Sequence, residues 1–546
     1  MEKQFNEVIH SRQGVPVWKK IFLQLTLLAC LGVFSTSYAI TDPDLTFQQQ
    51  VKGTVTDDSG VPLPGASIVV RGTTTGTVAD FDGNYTINVA SNGVLVFSYV
   101  GFTAKEIAVN GNTTINVSLE IDSSLLDEVV VVGYGTQKKG EVTAAIASVD
   151  AEQLGIVQTS SSIDAVKGQI SGVDIQASGG RPGQTSTVRI RGRRSITASN
   201  DPLYVVDGIP LIDGSESMSD INPQDIASMQ ILKDAAATAV YGSRGANGVV
   251  LVTTNRGKVG KTQVRYSSQV GLTSAAQLVD MMNGEEYAAL KREARRSSWN
   301  GTIPDDAAVF FDPVELESLA LGRSTDYLDL VVGNGYQTNH QLGVSGGSEN
   351  TTFNSSIGYF KEQGIISNQD YERFTGRINI DHRINKIFKI GASFMISNSV
   401  QNWGSNATIG EALANNPLGV PYDANGDLLF LPTNDGIRTN PLSELVDGAY
   451  IDERKWTRIF APIFLDIDIA EGLQWRTLFG PDIRLGRRGQ FRGSLTNDNR
   501  GGPGDASIEH IDNFAYTIEN LLTYEKAITD KHNLKVTLLQ STQNSK

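Results

Sequence analysis

The sequence predicts a mainly β chain: an N-terminal β-sandwich, a mixed α/β domain and a partial antiparallel transmembrane β-barrel. The composition, with 55 glycines, 40% hydrophobic and only 19% charged residues, suits many turns and half-buried strands better than long amphipathic helices. The length of 546 residues exceeds the roughly 250–300 at which one hydrophobic core stops growing, so several domains are required. Beyond Gly260 the hydrophobic period is two. The formal net charge of −14 argues against a general nucleic-acid binder, which needs a basic surface for phosphate. Acidic loops account for it.

Residues 1–39 read as a signal peptide: Lys19 and Lys20 precede the apolar run IFLQLTLLACLGVF, and Ser37-Tyr38-Ala39 supplies a small-residue cleavage site. That run is shorter than the roughly 20 apolar residues a spanning helix needs, and no later run is longer. A membrane crossing therefore falls to strands. The sole cysteine, Cys30, lies in this leader, where LLAC is alternatively a lipoprotein acylation site. A mature chain without it has no disulfide.

From Val51 to Leu119, short β-rich runs alternate with DDSG, LPG and DFDGN turns. The arrangement resembles the carboxypeptidase-regulatory-like domain, a fold name that carries no peptidase activity. No H-E-x-x-H occurs, and the five histidines, His10, His340, His382, His510 and His532, are scattered, so no metal site is expected.

The segment LDEVVVVGYGTQKK, residues 126–139, holds four consecutive valines interrupted by Gly133 and Gly135. It reads either as an ordinary buried strand or as a strand for addition to a partner's sheet edge by main-chain hydrogen bonds. Its place between two domains favours the second. A mixed domain follows, with helix-like SSIDAVKGQ, strands GVDIQ and TVRIRG, a DPLYVVDGIP hairpin, a helix through ILKDAAATAVYG and a buried strand GVVLVTT.

In the barrel region Phe388, Ile390, Ala392, Phe394 and Ile396 share one face, with Lys389, Gly391, Ser393 and Ser397 on the other. Phe374, Ile378 and Ile380 likewise oppose Arg373, Arg377, Asn379 and Asp381, and Ile459, Ala461, Ile463, Leu465, Ile467 and Ile469 form a third apolar face. Soluble sandwiches alternate too, so connection lengths discriminate better. About nine strands begin near residues 262, 337, 351, 371, 386, 455, 472, 512 and 532, with short turns SGGSEN, RINKI, IAEG and AITDKH alternating with longer connections. A preceding domain that fills the barrel starts the first strand on the periplasmic side, so the long loops project outward. Such barrels need about 22 strands, and the expectation is that this sequence is a truncated portion.

The order of LDEVVVVGYG, SIDAVKGQISGVDIQ, TVRIRGRRS, PLYVVDGIP and INPQDIASMQILKDAAATAVYGSRGANGVVLVTT resembles TonB-dependent receptors of the SusC/RagA family, from about Val51 to the end of the chain. The resemblance implies that Asp127, Glu128, Val129, Val130, Val131, Val132, Gly133, Tyr134 and Gly135 are the TonB box, that 145–257 is a plug domain and that 261–546 begins the barrel. It further implies a Gram-negative outer-membrane importer of oligosaccharides or peptides. TonB, driven by ExbB and ExbD, would pull the box, and a SusD-like surface lipoprotein would capture substrate. No cofactor or catalytic residue is implied. A plug held to the wall by polar contacts, without a shared apolar core, would open at low cost. The alternative is a non-transporting surface receptor or adhesin with the barrel as anchor.

Several strings are decoys. Gly343-Val344-Ser345-Gly346-Gly347 matches a nucleophile-elbow pattern but lies between strands. Gly260-Lys261-Thr262 ends like a phosphate loop, yet Asn255 stands where its first glycine belongs. Asp423, Asn425 and Asp427 suggest a calcium loop whose Gly426 is one residue early. Arg189, Arg191, Arg193 and Arg194 are expected in plug-to-wall ion pairs, or else on anionic substrate. Trp403, Tyr422 and Trp456 fall near the outer loops; the interface girdle is favoured for Trp456, and sugar stacking stays open for the other two. Substrate-binding residues are otherwise unknown.

Overall fold

A computed structural model of the chain describes residues 48–546, except 59, 72, 74, 100–101, 121–128, 133–134, 139–145, 157–158, 212–217 and 530–531. It divides into two compact units at Glu128/Val129. The signal-peptide segment lies outside the described residues.

The first unit is a sandwich of β1 (Gln48–Asp57), β2 (Ser67–Val70), β3 (Gly76–Val78), β4 (Asn84–Ala90), β5 (Val94–Ser98), β6 (Lys105–Ala108) and β7 (Val117–Leu119). One sheet runs β4-β1-β7 and the other β3-β2-β5-β6. Alternation along β4 and β5 buries Tyr85, Ile87, Val89, Leu95 and Phe97, with exposed neighbours in β4 and half-buried ones in β5. Tyr85 meets Phe97 edge-on at 5.4 Å between ring centroids, and its hydroxyl donates to the Ile115 carbonyl at 2.8 Å. Gly83 closes the DFDGN turn at φ +77°, where a β-carbon would stand 2.6 Å from the Val55 carbonyl oxygen.

The second unit starts with a hairpin of β8 (Val129–Val132) and β9 (Gly135–Lys138), which joins no larger sheet among the described residues. The plug follows. Strands β10 (Ile146–Asp150), β13 (Leu203–Val206), β14 (Ile209–Pro210), β15 (Ile226–Leu232) and β16 (Val249–Thr254) form a sheet ordered β10-β15-β16-β13-β14, and β11 (Val173–Ala177) pairs with β12 (Ser186–Ile190) beside it. Strand β16 is buried at nearly every position, as the unbroken apolar run VVLV requires of a central strand.

One antiparallel sheet takes up the rest: β17 (Gly260–Thr273), β18 (Gly335–Gly347), β19 (Thr351–Gln363), β20 (Asp370–Arg383), β21 (Phe388–Asn402), β22 (Tyr450–Phe460), β23 (Ile463–Ala470), β24 (Leu473–Arg492), β25 (Asp505–Thr529) and β26 (His532–Ser545). The segments number ten because Ala461-Pro462 interrupts one strand, β22 and β23 both pairing with β21 and β24. Burial along this sheet is inverted relative to a soluble protein. In β20 and β21 the polar members Arg373, Arg377, Asn379, Ser393 and Ser397 are buried, whereas Ile378 is 48% and Phe394 44% exposed. An outward apolar face with a polar interior is the pattern of a strand wall in lipid. No helix among the described residues is long and apolar enough to cross a membrane.

Turns at one end of the sheet span 348–350, 384–387 and 471–472, and connections at the other span 274–334, 364–369, 403–449 and 493–504. The two longest connections are folded. Helix Gly284–Arg296 opens with a reciprocal cap, Asn283 Oδ1 accepting from the Glu286 amide and Glu286 Oε2 from the Asn283 amide, both at 3.0 Å. Ala288, Val309, Phe310 and Leu418 make one small core, and Tyr327, Leu328, Val331 and Ala412 another. These long connections thus form a packed cap, where sequence periodicity indicates only loops.

Candidate functional site

The plug docks on the polar inner face of the sheet, and β20 is the spine of that contact. Its inward residues recur every second position. Arg373 donates to the carbonyls of Ser160, at 2.6 Å, and Ser219. Arg377 meets Asp207 at 2.8 Å, Asn379 donates to the Asn255 carbonyl at 2.6 Å, and Asp381 pairs with Arg256 at 3.0 Å.

Local sequence explains the Asp207 contact. Asp207 and Gly208 form the two-residue turn between β13 and β14 with φ +48° and +90°, the doubly positive pair a tight hairpin demands and Asp-Gly supplies. The turn carries the carboxylate to the wall. Thr254 donates to it from hydroxyl, 2.6 Å, and amide, 3.0 Å, while Arg377 reaches Asp207, the Thr254 hydroxyl and Ser393. Burial opposes the charge on Asp207, but Arg377, Arg256 and the Thr254 hydrogen bonds outweigh it and hold the carboxyl below its ordinary range.

Two other plug carboxylates fare differently. Asp220 lies 3.6 Å from both Arg458 and Arg484, and Asp225 accepts from Gln341 at 2.7 Å and Ser356 at 2.6 Å. Burial dominates in both and raises their pKa despite the nearby arginines. The docking surface is not wholly polar. Wall residues Met395, Phe460, Phe464 and Leu478 belong to the same apolar cluster as plug residues Ile209, Val250 and Val252. At Gly480 a β-carbon would lie 2.4 Å from the Ile209 side chain. The expectation of a plug without a shared apolar core is thereby corrected: the seam combines buried ion pairs with an apolar contact.

Above this seam lies a cavity of about 310 Å³ between plug loops and the outer halves of β20 to β25, lined among others by Gln184, Asp220, Trp403, Arg454, Trp456, Arg484 and Arg488. Arginines cover the tryptophans, Arg454 lying 3.9 Å from the Trp403 ring centre and Arg484 4.0 Å from that of Trp456. Trp456 therefore faces the lumen and not the interface girdle, a correction its parity could have supplied, since Ile459 and not Trp456 shares the apolar face. Tyr422 is exposed in the outer cap and bridged to Leu428, outside the cavity.

Of the TonB-box candidates, Val129–Val132 form β8 and Gly135 opens β9, whereas Asp127, Glu128, Gly133 and Tyr134 lie outside the described residues. The arginine cluster expected at the wall bonds within the plug instead: Arg189 to Gln176 at 3.3 Å, Arg191 to Asp234, Arg194 to the Ala246 carbonyl. Arg193 is exposed. The barrel, not the plug, contributes most of the docking arginines. Ser345 sits within strand β18, Gly260–Thr262 open β17, and Asp423 accepts from the Asn425 and Asp427 amides, both at 2.8 Å, in a turn.

Comparison with known proteins places these elements. A CarboxypepD_reg-like domain family matches residues 51–131 and the TonB-dependent receptor plug domain matches 138–249. The TonB-dependent receptor P3 of Formosa agariphila is 35% identical over 90% of this chain and 47% of its own length. The TonB-dependent receptor SusC of Bacteroides thetaiotaomicron is 36% identical over 73% of this chain and 38% of its own. The RagAB peptide importer in its open-open state superposes with a TM-score of 0.64 at 24% identity, covering 77% of this chain and 50% of the other, a shared fold. The chain spans about half the length of the curated relatives it matches.

Proposed function

The chain belongs with the SusC-related TonB-dependent receptors, and from that membership we propose that it serves TonB-dependent import of oligosaccharides or peptides across the Gram-negative outer membrane. Residues 1–39 export it, Asp127–Gly135 are the segment a TonB partner grips, and a SusD-like lipoprotein covers the outer face. The observation that carries this reading is the inverted sheet with a separately folded plug docked on its polar face.

The sheet order supports a stepwise opening. Strand β10, the first plug strand after the grip segment, is an edge strand that among the described residues pairs only with β15, from Ile146↔Leu232 to Asp150↔Ser228. A pull from residues 127–135 reaches Ile146 first and loads these pairs one at a time. The docking contacts to Asp207, Asp220, Asp225 and Asn255 lie outside β10. Peeling β10 therefore leaves the plug anchored, at a cost below global unfolding. In its two-stranded hairpin, β8 has one backbone edge without a partner strand among the described residues, which suits strand addition to a partner's sheet.

Binding of a peptide spanning Leu126–Lys139 to the periplasmic domain of TonB separates import from the adhesin reading. Titration with saturable binding supports import. No binding at any attainable concentration favours an anchor without energy coupling.

A further inference from the structure

The cavity above the plug has a charge and hydrogen-bond pattern that points to one class of occupant. Arg454 and Arg488 share the single carboxylate of Asp452, at 3.1 Å and 2.8 Å. Arg181, 4.9 Å from the Trp403 ring centre, donates to the neutral oxygens of Trp403, Ser405 and Asn406. Burial and then the charge of Arg454 lower its pKa. Glu509, opposite Arg488 in the β24–β25 register, is a further carboxylate on this part of the wall. Among the described residues at the cavity, five guanidinium groups, Arg181, Arg454, Arg484, Arg487 and Arg488, stand against four carboxylates, Asp220, Asp452, Glu453 and Glu509, a local positive excess in a chain whose formal charge is −14. Arg487 borders the cavity from the other strand face, beside Glu453 at 4.0 Å.

The aromatic rings do not offer a free stacking platform, because guanidinium planes lie over Trp403 and Trp456. The rings instead hold those planes in place, and a fixed guanidinium fork matches a carboxylate or sulfate better than a neutral ring. Deeper in the cavity, Gln184 Oε1 is a buried acceptor without a hydrogen-bond donor among the described residues, whereas Asp220 Oδ2 is held by Arg458 and Arg484 at 3.6 Å, so the site asks for a hydroxyl group as well as an anion. Among the described residues Ile511 is the single aliphatic side chain in the lining, which gives apolar peptide side chains little shelter. The volume of about 310 Å³ is near the lower end of the roughly 300–1,000 Å³ of small-molecule sites, room for the end of a chain.

We infer that this cavity binds the acidic end of an oligosaccharide, Arg454 and Arg488 taking its carboxylate or sulfate group while Gln184 accepts from a hydroxyl. The assignment rests on the import reading, and narrows its substrate class. Calorimetric titration of the detergent-solubilised protein with oligogalacturonate, a carrageenan-derived sulfated oligosaccharide, a maltooligosaccharide and a polyglutamate peptide tests it. One or both acidic saccharides should bind, the carboxylated and sulfated probes revealing which anion is preferred, and added salt should weaken binding. Arg454→Gln and Arg488→Gln should each reduce that affinity at least roughly tenfold, the loss of a charge-assisted hydrogen bond. Gln184→Leu, which removes no charge, should weaken it without changing the salt dependence. Maltooligosaccharide binding as tight as the acidic probes, polyglutamate binding alone, or unaltered affinity in both arginine variants overturns the assignment. None of these results bears on energy coupling, because binding in detergent needs no TonB; loss of TonB-peptide binding would instead sink the import reading and leave this site untouched.

Discussion

The Asp207–Arg377 pair is the contact whose perturbation has the most definite consequence. The Arg377 side chain has 0% and that of Asp207 2% of its surface exposed, and they meet at 2.8 Å. Removing one member of such a pair strands the other charge in a dry site, at about 3–5 kcal/mol, whereas replacing both by neutral groups is often near neutral. Because Asp207 sits at φ +48°, asparagine is the neutral replacement that tolerates the backbone. Asp207→Asn should cost about 3 kcal/mol, the low end of the range, since its amide oxygen remains an acceptor for Thr254. Arg377→Met should cost at least as much. The double variant should recover at least half of the summed loss. Hydrogen exchange of the β13 and β16 amides in the detergent-solubilised protein reads the opening energy directly; 3 kcal/mol corresponds to on the order of a hundredfold faster exchange. Acid should act in the same direction. The folded pKa of Asp207 lies below its unfolded value, so its stabilisation is complete above the ordinary carboxylate range and is lost as pH falls through the depressed value. A double variant as unstable as the sum of the singles would refute the reasoning.

Asp225 should behave oppositely: its pKa is raised by burial, so the folded state binds the extra proton and its contribution falls as pH rises between the unfolded and folded values. Asp225→Asn, which keeps an acceptor for Gln341 and Ser356, should leave β16 exchange unchanged or slower at neutral pH and flatten its pH slope; faster exchange contradicts the assignment. On the exposed apolar face, Phe394→Arg should destabilise the barrel by about 2–4 kcal/mol if its position lies near the bilayer midplane, read as reduced outer-membrane assembly, while its lumen-facing neighbour Ser397→Asn should assemble normally. In the sandwich, Tyr85→Phe loses the bond to the Ile115 carbonyl and should lower stability by about 1 kcal/mol, read as faster exchange confined to residues 48–119.

Much of this architecture was legible because strands in a membrane wall repeat every two residues and are separated by alternating short and long connections. The positions 262, 351, 371 and 532 read from the sequence fall within two residues of the observed strand starts. Which face points inward was not legible from alternation, since a soluble sandwich alternates equally; burial of Arg377 opposite exposed Ile378 decides it. The helix at Gly284–Arg296 had a readable signal in Asn283 and Glu286, masked by treating the stretch as a connection. The pairing of Arg191 with Asp234 depends on the tertiary meeting of two distant segments, which no local pattern encodes. The same holds for Asp207 and Arg377, where the Asp-Gly turn was visible but its partner was not.

The central claim is that a pull on the segment before the plug opens it for import. The measurement that tests this most directly is uptake by cells in which residues Asp127–Val132 are deleted from the chromosomal gene. The account predicts that energy-dependent uptake is abolished while outer-membrane insertion and substrate binding at the cell surface are unchanged. Undiminished uptake after the deletion would contradict it.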